Sequence, residues 1–269
     1  QIDVVIANNV GNPIQLYKNN NQTFVNQSSV LVGLVDGYTH NVCFVDFDRD
    51  GWLDVFASDY FSTNFNHLYR NTGDGTMELT FGLEVVSEAS NSIGAIWADV
   101  NNDGWSDCFI PNYGTSNMLY INQEGTSFSA IEMGDLSNSV GASFGDFDND
   151  LDLDLFVANA SNQHNFLYTN DGNGNFTKVT TGWITEDKGN SHGSVWADLD
   201  NDSWLDLVVT NDLDGSKFLY MNNGDGTFGK VTDSPVISPD GNAFAIVSTD
   251  LELDGDIDLV ISNHSNENN

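Results

Sequence analysis

Basic residues are scarce. Seven Lys and Arg stand against 40 Asp and Glu among 269 residues, for a net charge of −33. A surface of that sign repels a phosphate backbone, which excludes nucleic acid as a partner. Cysteine is nearly absent. Cys43 and Cys108 both lie in apolar runs and read as buried free thiols acting as small hydrophobes, not as a disulfide framework. No apolar stretch is long enough to span a membrane. No signal-peptide pattern precedes the strand expected to open at Gln1, so the chain is expected to be a mature segment or part of a larger polypeptide. No segment keeps a 3.6-residue apolar period over a useful length, which argues against a helical architecture.

Hydrophobic residues make up 39% of the chain, enough for a sizeable core, and the acidic residues are not spread evenly. Of the 40, 21 fall in five nine-residue stretches. The first is Asp46-Phe-Asp48-Arg-Asp50-Gly-Trp-Leu-Asp54, and the others start at Asp99, Asp146, Asp198 and Asp250. Each ends on an Asp that opens an apolar run: Val55-Phe56-Ala57, Cys108-Phe109-Ile110, Leu155-Phe156-Val157, Leu207-Val208-Val209 and Leu259-Val260-Ile261. A sixth run, Val4-Val5-Ile6, follows Asp3 without an acidic stretch before it. From Asp3 onward the steps between these Asp residues are 51, 53, 47, 52 and 52 residues. A period near fifty signals a repeat architecture.

One period, residues 40–92, divides into four strands. His40–Val45 is strand A, the acidic stretch turns into strand B at Asp54–Ser58, and His67–Asn71 is strand C. Gly73-Asp74-Gly75 marks a hairpin, and strand D is expected from Thr76 toward Val85. Strand C recurs as Leu-Tyr-x-Asn at Leu16, Leu119, Leu167 and Leu219. Phe176 and Phe228 open later D strands, and strand A is small and apolar at 94–98, 141–145 and 193–197. The expected fold is all-β: a β-propeller of four-stranded antiparallel blades, with strand A innermost and strand B covered on both faces. The repeats fall at about 1–39, 40–92, 93–139, 140–191, 192–242 and 243–269. Five A, six B, five C and five D strands do not make whole blades, so the chain is expected to be part of a six- or seven-bladed ring rather than a closed five-bladed one.

Numbering each acidic loop 1 to 9, side-chain oxygens recur at positions 1, 3, 5 and 9. The candidate metal ligands are Asp46, Asp48, Asp50 and Asp54; Asp99, Asn101, Asp103 and Asp107; Asp146, Asp148, Asp150 and Asp154; Asp198, Asp200, Asp202 and Asp206; and Asp250, Glu252, Asp254 and Asp258. Hard oxygen donors without His or Cys select Ca²⁺ or Mg²⁺, and several carboxylates plus a backbone carbonyl at position 7 favour Ca²⁺, up to five ions. An EF-hand is excluded, because position 12 is Ala57, Ile110, Val157, Val209 or Ile261, all apolar and in strands. Gly51, Gly104 and Gly255 suit the turn at position 6, whereas Leu151 and Ser203 are expected to strain it, and Glu252 alters the reach at position 3.

These motifs, in this order, resemble the FG-GAP/VCBS repeats, whose relatives include the integrin alpha-chain propeller and the cartilage acidic protein (ASPIC/UnbV) group. The resemblance covers nearly the whole chain. It implies a calcium-stabilised propeller, secreted or on the cell surface, that binds a carbohydrate or protein ligand on one face. The alternatives are a structural segment of a larger surface protein and a polysaccharide-active enzyme on a propeller scaffold. No catalytic residue is assigned. His40 and His192 share one place in strand A and read as hydrogen-bonded residues before ligands. Trp52, Trp105 and Trp204 at position 7 read as packing before sugar-stacking surfaces.

Overall fold

The computed structural model describes residues 3–8, 12–33, 38–60, 65–212, 217–238 and 241–264. Gln1, where the sequence suggests a first strand, lies outside them; that strand begins at Val4. The chain forms two compact units, residues 1–99 with 103–136, and residues 100–102 with 137–269.

In the first unit, β1 (Val4–Ile6), β2 (Gln15–Asn20) and β3 (Thr23–Asn26) make an antiparallel meander. A short β4 (Leu31–Val32) runs parallel to the edge of the next blade. That blade holds β5 (Thr39–Val45), β6 (Asp54–Asp59), β7 (His67–Asn71) and β8 (Met77–Leu79), paired in chain order. β9 (Ile96–Ala98), β10 (Asp107–Ile110), β11 (Tyr113–Gln123) and the first part of β12 (Ser127–Gly145) repeat the order. The second part of β12 is strand A of a blade in the second unit, with β13 (Asp154–Asn159), then, after a two-residue β14 (Gln163–His164), β15 (Phe166–Asn170) and β16 (Phe176–Lys178). One helical turn, α1 (Trp183–Glu186), and β17 (Lys188–Gly189) lead to the next blade: β18 (Ser191–Ala197), β19 (Asp206–Asn211), β20 (Phe218–Asn222) and β21 (Phe228–Lys230). β22 (Asn242–Thr249) and β23 (Asp258–His264) form a final hairpin. The all-β, propeller-type reading holds strand by strand.

Strand D is the exception. Expected to reach toward Val85, it is only Met77–Leu79, and Glu84–Val86 is a 3₁₀ turn. Gly82 at φ 80° takes the chain out of extended geometry between them.

The B strands form the core. Every residue of β6, β10, β13 and β19 is buried. Alternation then sends successive side chains to opposite faces. Phe56 joins Val45, Leu68, Cys108 and Tyr120, while Val55 and Ala57 join Leu16, Tyr69 and Met77. In the second unit Phe156, Ala158, Leu207 and Val209 share one cluster, and Val208 packs on Ile246. Each large side chain buried this way is worth about 1.5–3 kcal/mol. Cys43 and Cys108 are both free thiols, and burial pushes the Cys43 thiol up to about 11.

The small residues of strand A have a steric cause. A Cβ on Gly141 would lie 1.9 Å from the His192 carbonyl oxygen, and one on Gly193 would lie 3.1 Å from that of Phe244. Neighbouring inner strands therefore meet backbone to backbone.

The last residue of strand B closes its end by hydrogen bonding. Asn159 accepts from Ser139 Oγ at 2.7 Å and Asn211 from Ser191 Oγ at 2.8 Å. The corresponding residue of β6 is Asp59, which is 1% exposed. Its carboxylate lies 3.7 Å from His67 Nδ1 and receives no hydrogen bond of ordinary geometry from the described residues. Burial pushes its pKa up, opposed by His67 and Thr39.

Candidate metal centres

All five acidic loops join strand A to strand B, and all adopt one backbone conformation. Position 4 is left-handed throughout: Arg49 at φ 53°, Asn102 at 59°, Asn149 at 58°, Asn201 at 61° and Leu253 at 59°. So is position 6: Gly51 and Gly104 at 88°, Leu151 at 76°, Ser203 at 74° and Gly255 at 97°. The expected strain at Leu151 and Ser203 is therefore present, since a side chain with a Cβ is disfavoured there. Replacing either by Gly is expected to raise stability by about 1 kcal/mol, read from the urea midpoint, because the turn then adopts its conformation without a Cβ penalty. A lower midpoint for both variants would contradict this.

The carboxylates fold the loop before any ion is considered. In the second to fifth loops position 1 accepts the N–H groups of positions 5 and 6; Asp198, for example, takes Asp202 N at 3.0 Å and Ser203 N at 2.8 Å. In the first loop Asp46 takes Gly51 N at 3.1 Å, and Asp50 N turns to Asp48 at 3.4 Å. Position 5 accepts the N–H of position 7, as Asp103 does from Trp105 at 2.8 Å. Position 9 spans two elements. Asp154 Oδ2 takes Phe147 N at 3.2 Å, and Oδ1 takes Asn170 N from strand C at 2.9 Å. Asp54 and Asp206 do the same with Phe47 and Asn71, and with Leu199 and Asn222. Asp3 takes Asn19 N at 2.8 Å, so the position-9 role persists in the repeat that shows no acidic loop.

The partner in strand C is the Asn of Leu-Tyr-x-Asn, whose role the sequence does not reveal. Beyond its N–H, its amide donates to the position-8 carbonyl of its own loop and to the position-2 carbonyl of the preceding one. Asn122 Nδ2 reaches Ser106 O at 3.0 Å and Phe47 O at 2.8 Å. Asn170 reaches Val100 O at 2.7 Å, and Asn222 reaches Phe147 O at 2.8 Å. The recurrence of the motif was the signal; its targets are backbone atoms, which have no sequence signature.

Three loops gather carboxylate oxygens within 4.8 Å of one another: Asp46, Asp48 and Asp50; Asp146, Asp148 and Asp154; Asp198, Asp200 and Asp206. Asp54, Asp150 and Asp202 lie outside these close-set groups, as do the second loop (Asp99, Asn101, Asp103, Asp107) and the fifth (Asp250, Glu252, Asp254, Asp258). In the fifth, Glu252 hydrogen-bonds Asp258, which pushes Glu252 up. Regularity of sequence and closeness of carboxylates thus differ: the second loop has the more regular pattern, the third and fourth the tighter grouping.

Burial and mutual repulsion disfavour the charged form of several of these carboxylates. Burial, followed by the charges of neighbouring acids, pushes Asp54 and Asp154 up to about 7 against their backbone hydrogen bonds. Asp148 and Asp206 are also raised, with burial the main cause. Asp46 Oδ1 and Asp148 Oδ1 are buried oxygens with no hydrogen-bond partner among the described residues. Closely spaced, inward-facing carboxylate oxygens without donors fit a hard divalent ion.

His40 Nδ1 bonds Ile93 O at 2.8 Å, and His192 lies against Phe244 with ring centroids 4.4 Å apart. Trp52 stands over Gly73 and Trp204 over Gly224 of their own C–D turns. Trp105 carries the Arg49 guanidinium 5.3 Å from its ring centroid. Trp52 remains half exposed.

Blades of this order, joined by one recurring loop, define a repeat protein of the β-propeller class. Five FG-GAP-like repeats match the chain, at residues 1–57, 46–110, 99–157, 146–209 and 198–261. The chain belongs to the FG-GAP-like repeat family. No curated protein matches it in sequence. Among solved structures it is similar to BBS1N, crystallised in complex with ARL6DN, at 12% identity and a TM-score of 0.61, over 96% of this chain and 71% of that one. The V. cholerae biofilm matrix protein Bap1 is similar at 16% identity and a TM-score of 0.50, over 86% of this chain and 39% of that one. An Agrocybe aegerita lectin that recognises non-reducing terminal N-acetylglucosamine is similar at 14% identity and a TM-score of 0.45, over 86% of this chain and 76% of that one. Among the described residues no helix is long and apolar enough to cross a membrane.

Proposed function

We propose that this chain is a calcium-binding recognition module of the cell surface or extracellular space, its acidic loops holding Ca²⁺ and a propeller face binding a carbohydrate or protein. The observation that carries the calcium reading is the grouping of three carboxylates within 4.8 Å in the third loop (Asp146, Asp148, Asp154) and again in the fourth (Asp198, Asp200, Asp206). The position 1, 3, 5 and 9 side chains would hold the ion, which would neutralise carboxylates already wired to the loop backbone. Protein oxygens would fill its coordination, so it would act in structure, not as a Lewis acid. Extracellular modules bind Ca²⁺ at roughly 10⁻⁴–10⁻³ M, concentrations met outside the cell. The recognition half is supported by the fold's presence in a biofilm matrix protein and in a protein complex, a fold-level analogy.

Two measurements test this. Calorimetric titration with CaCl₂ is expected to show binding at or below millimolar concentration; a flat titration would overturn the calcium half. Glycan and surface-protein arrays are expected to show binding in calcium that is lost in EDTA; arrays silent in calcium would overturn the recognition half.

A further inference from the structure

The chain contains only two arginines, Arg49 and Arg70, and both stand at the first acidic loop. Arg49 is position 4 of that loop and lies over Trp105, 5.3 Å from the ring centroid. Arg70 is the variable residue of Leu-Tyr-x-Asn in β7. The same register holds Ile121, Thr169 and Met221 in the next three blades, none of them charged. The Arg70 side chain folds back over its own loop. Its Nε bonds Asp48 Oδ2, and its Nη2 bonds Asp50 Oδ2 at 2.9 Å. Those are loop positions 3 and 5, two of the four ligand positions. The paired Asp48 side chain is only 12% exposed. Gly125 of the next blade sits against Asp48; a Cβ there would lie 2.8 Å from Asp48 Cα. The tight carboxylate groups of the third and fourth loops include position 9, through Asp154 and Asp206, while that of the first loop does not include Asp54.

We propose that Arg70 is the resident cation of the first acidic loop, holding positions 3 and 5 from within, so that this loop does not take the divalent ion that fills the others. A guanidinium offers a planar fork of donors that matches two carboxylates at once, and it stays protonated at any physiological pH. An ion entering among Asp46, Asp48 and Asp50 would have to displace it. The first loop would thus keep its shape when calcium is low, and the chain would bind one ion fewer than it has loops. The proposal rests on the calcium reading for its stoichiometry but not for its stability.

The test uses the full chain and its Arg70→Ile variant, which installs the residue of the next blade, with Lys188→Ile as a control for loss of a cation outside the loops. In EDTA, Arg70→Ile is expected to melt roughly 2–4 °C lower than both wild type and the control. In millimolar Ca²⁺ it is expected to recover and to bind one more ion than wild type by calorimetry. Crystals soaked in Tb³⁺ are expected to show no anomalous peak at the first loop of wild type and a new one there in the variant. A Tb³⁺ peak at wild-type Asp46, Asp48 and Asp50 would overturn the proposal. So would an Arg70→Ile variant that melts with wild type in EDTA, whatever the calcium titration shows. If wild type binds no Ca²⁺ at all, the calcium reading fails while a selective melting loss in EDTA still supports Arg70 as the loop's cation.

Discussion

Removing divalent cations is expected to lower the melting temperature more than any single substitution away from the core. Each loop places carboxylates against one another, and in the third loop burial and the charges of Asp150 and Asp146 push Asp148 up. An ion that binds only the folded loop stabilises it by mass action. At free Ca²⁺ a hundredfold above Kd this amounts to about 2.7 kcal/mol per occupied loop. For a chain of this size that is about 5–10 °C per loop. Scanning calorimetry in EDTA and in CaCl₂ held about a hundredfold above the Kd that titration gives makes the comparison. Midpoints that coincide would remove the metal from the account and leave the acidic loops as hydrogen-bonded turns.

The second large effect separates two kinds of acid within one loop. Asp154 is fully buried and holds both Phe147 N and Asn170 N, whereas Asp150 is exposed and accepts only the nearby Asp152 N among the bonds described. Asp154→Ala leaves two buried donors without partners, at about 1–3 kcal/mol each. It is therefore expected to destabilise by about 2–6 kcal/mol in EDTA and by more in calcium, because Asp154 also belongs to the close-set group that would hold the ion. Asp150→Ala is expected to cost under about 1 kcal/mol in EDTA and to lose most of the calcium-dependent gain of its loop. Urea unfolding of both variants under both conditions reads this out. Equal losses in EDTA would show that position 9 is no more structural than position 5.

Most of the architecture was legible in the sequence for a simple physical reason. A residue buried on both faces of a sheet has to be apolar, and a loop rich in oxygen donors has to be polar, so β6, β13 and β19 and the loops before them mark themselves in every period. The sequence overstates strand D because Thr80 and Phe81 look like strand residues, while Gly82, with its positive φ, ends the run. The Asn of Leu-Tyr-x-Asn could be seen to recur but not to act, because Asn122 and Asn170 reach the main-chain oxygens of Phe47 and Val100. By sequence the first loop is a regular member of the set. Arg70 lies 20 residues beyond Asp50 in sequence, and only the return of β7 alongside β6 brings them together. The sequence did hold a clue: both arginines of a chain with 40 acidic residues lie within one repeat.

Because the amides of Asn122, Asn170 and Asn222 grip backbone oxygens of the preceding repeat, these hydrogen bonds between repeats do not read the side chains of the residues they meet. Phe47, Val100 and Phe147 serve equally as acceptors. A fifty-residue unit could therefore be duplicated, deleted or exchanged by recombination and still seat against a new neighbour without compensating changes at these hydrogen bonds. With the apolar faces kept, the exposed remainder of each unit is left to diverge, which gives a chain of this kind an easy route to varied length and surface.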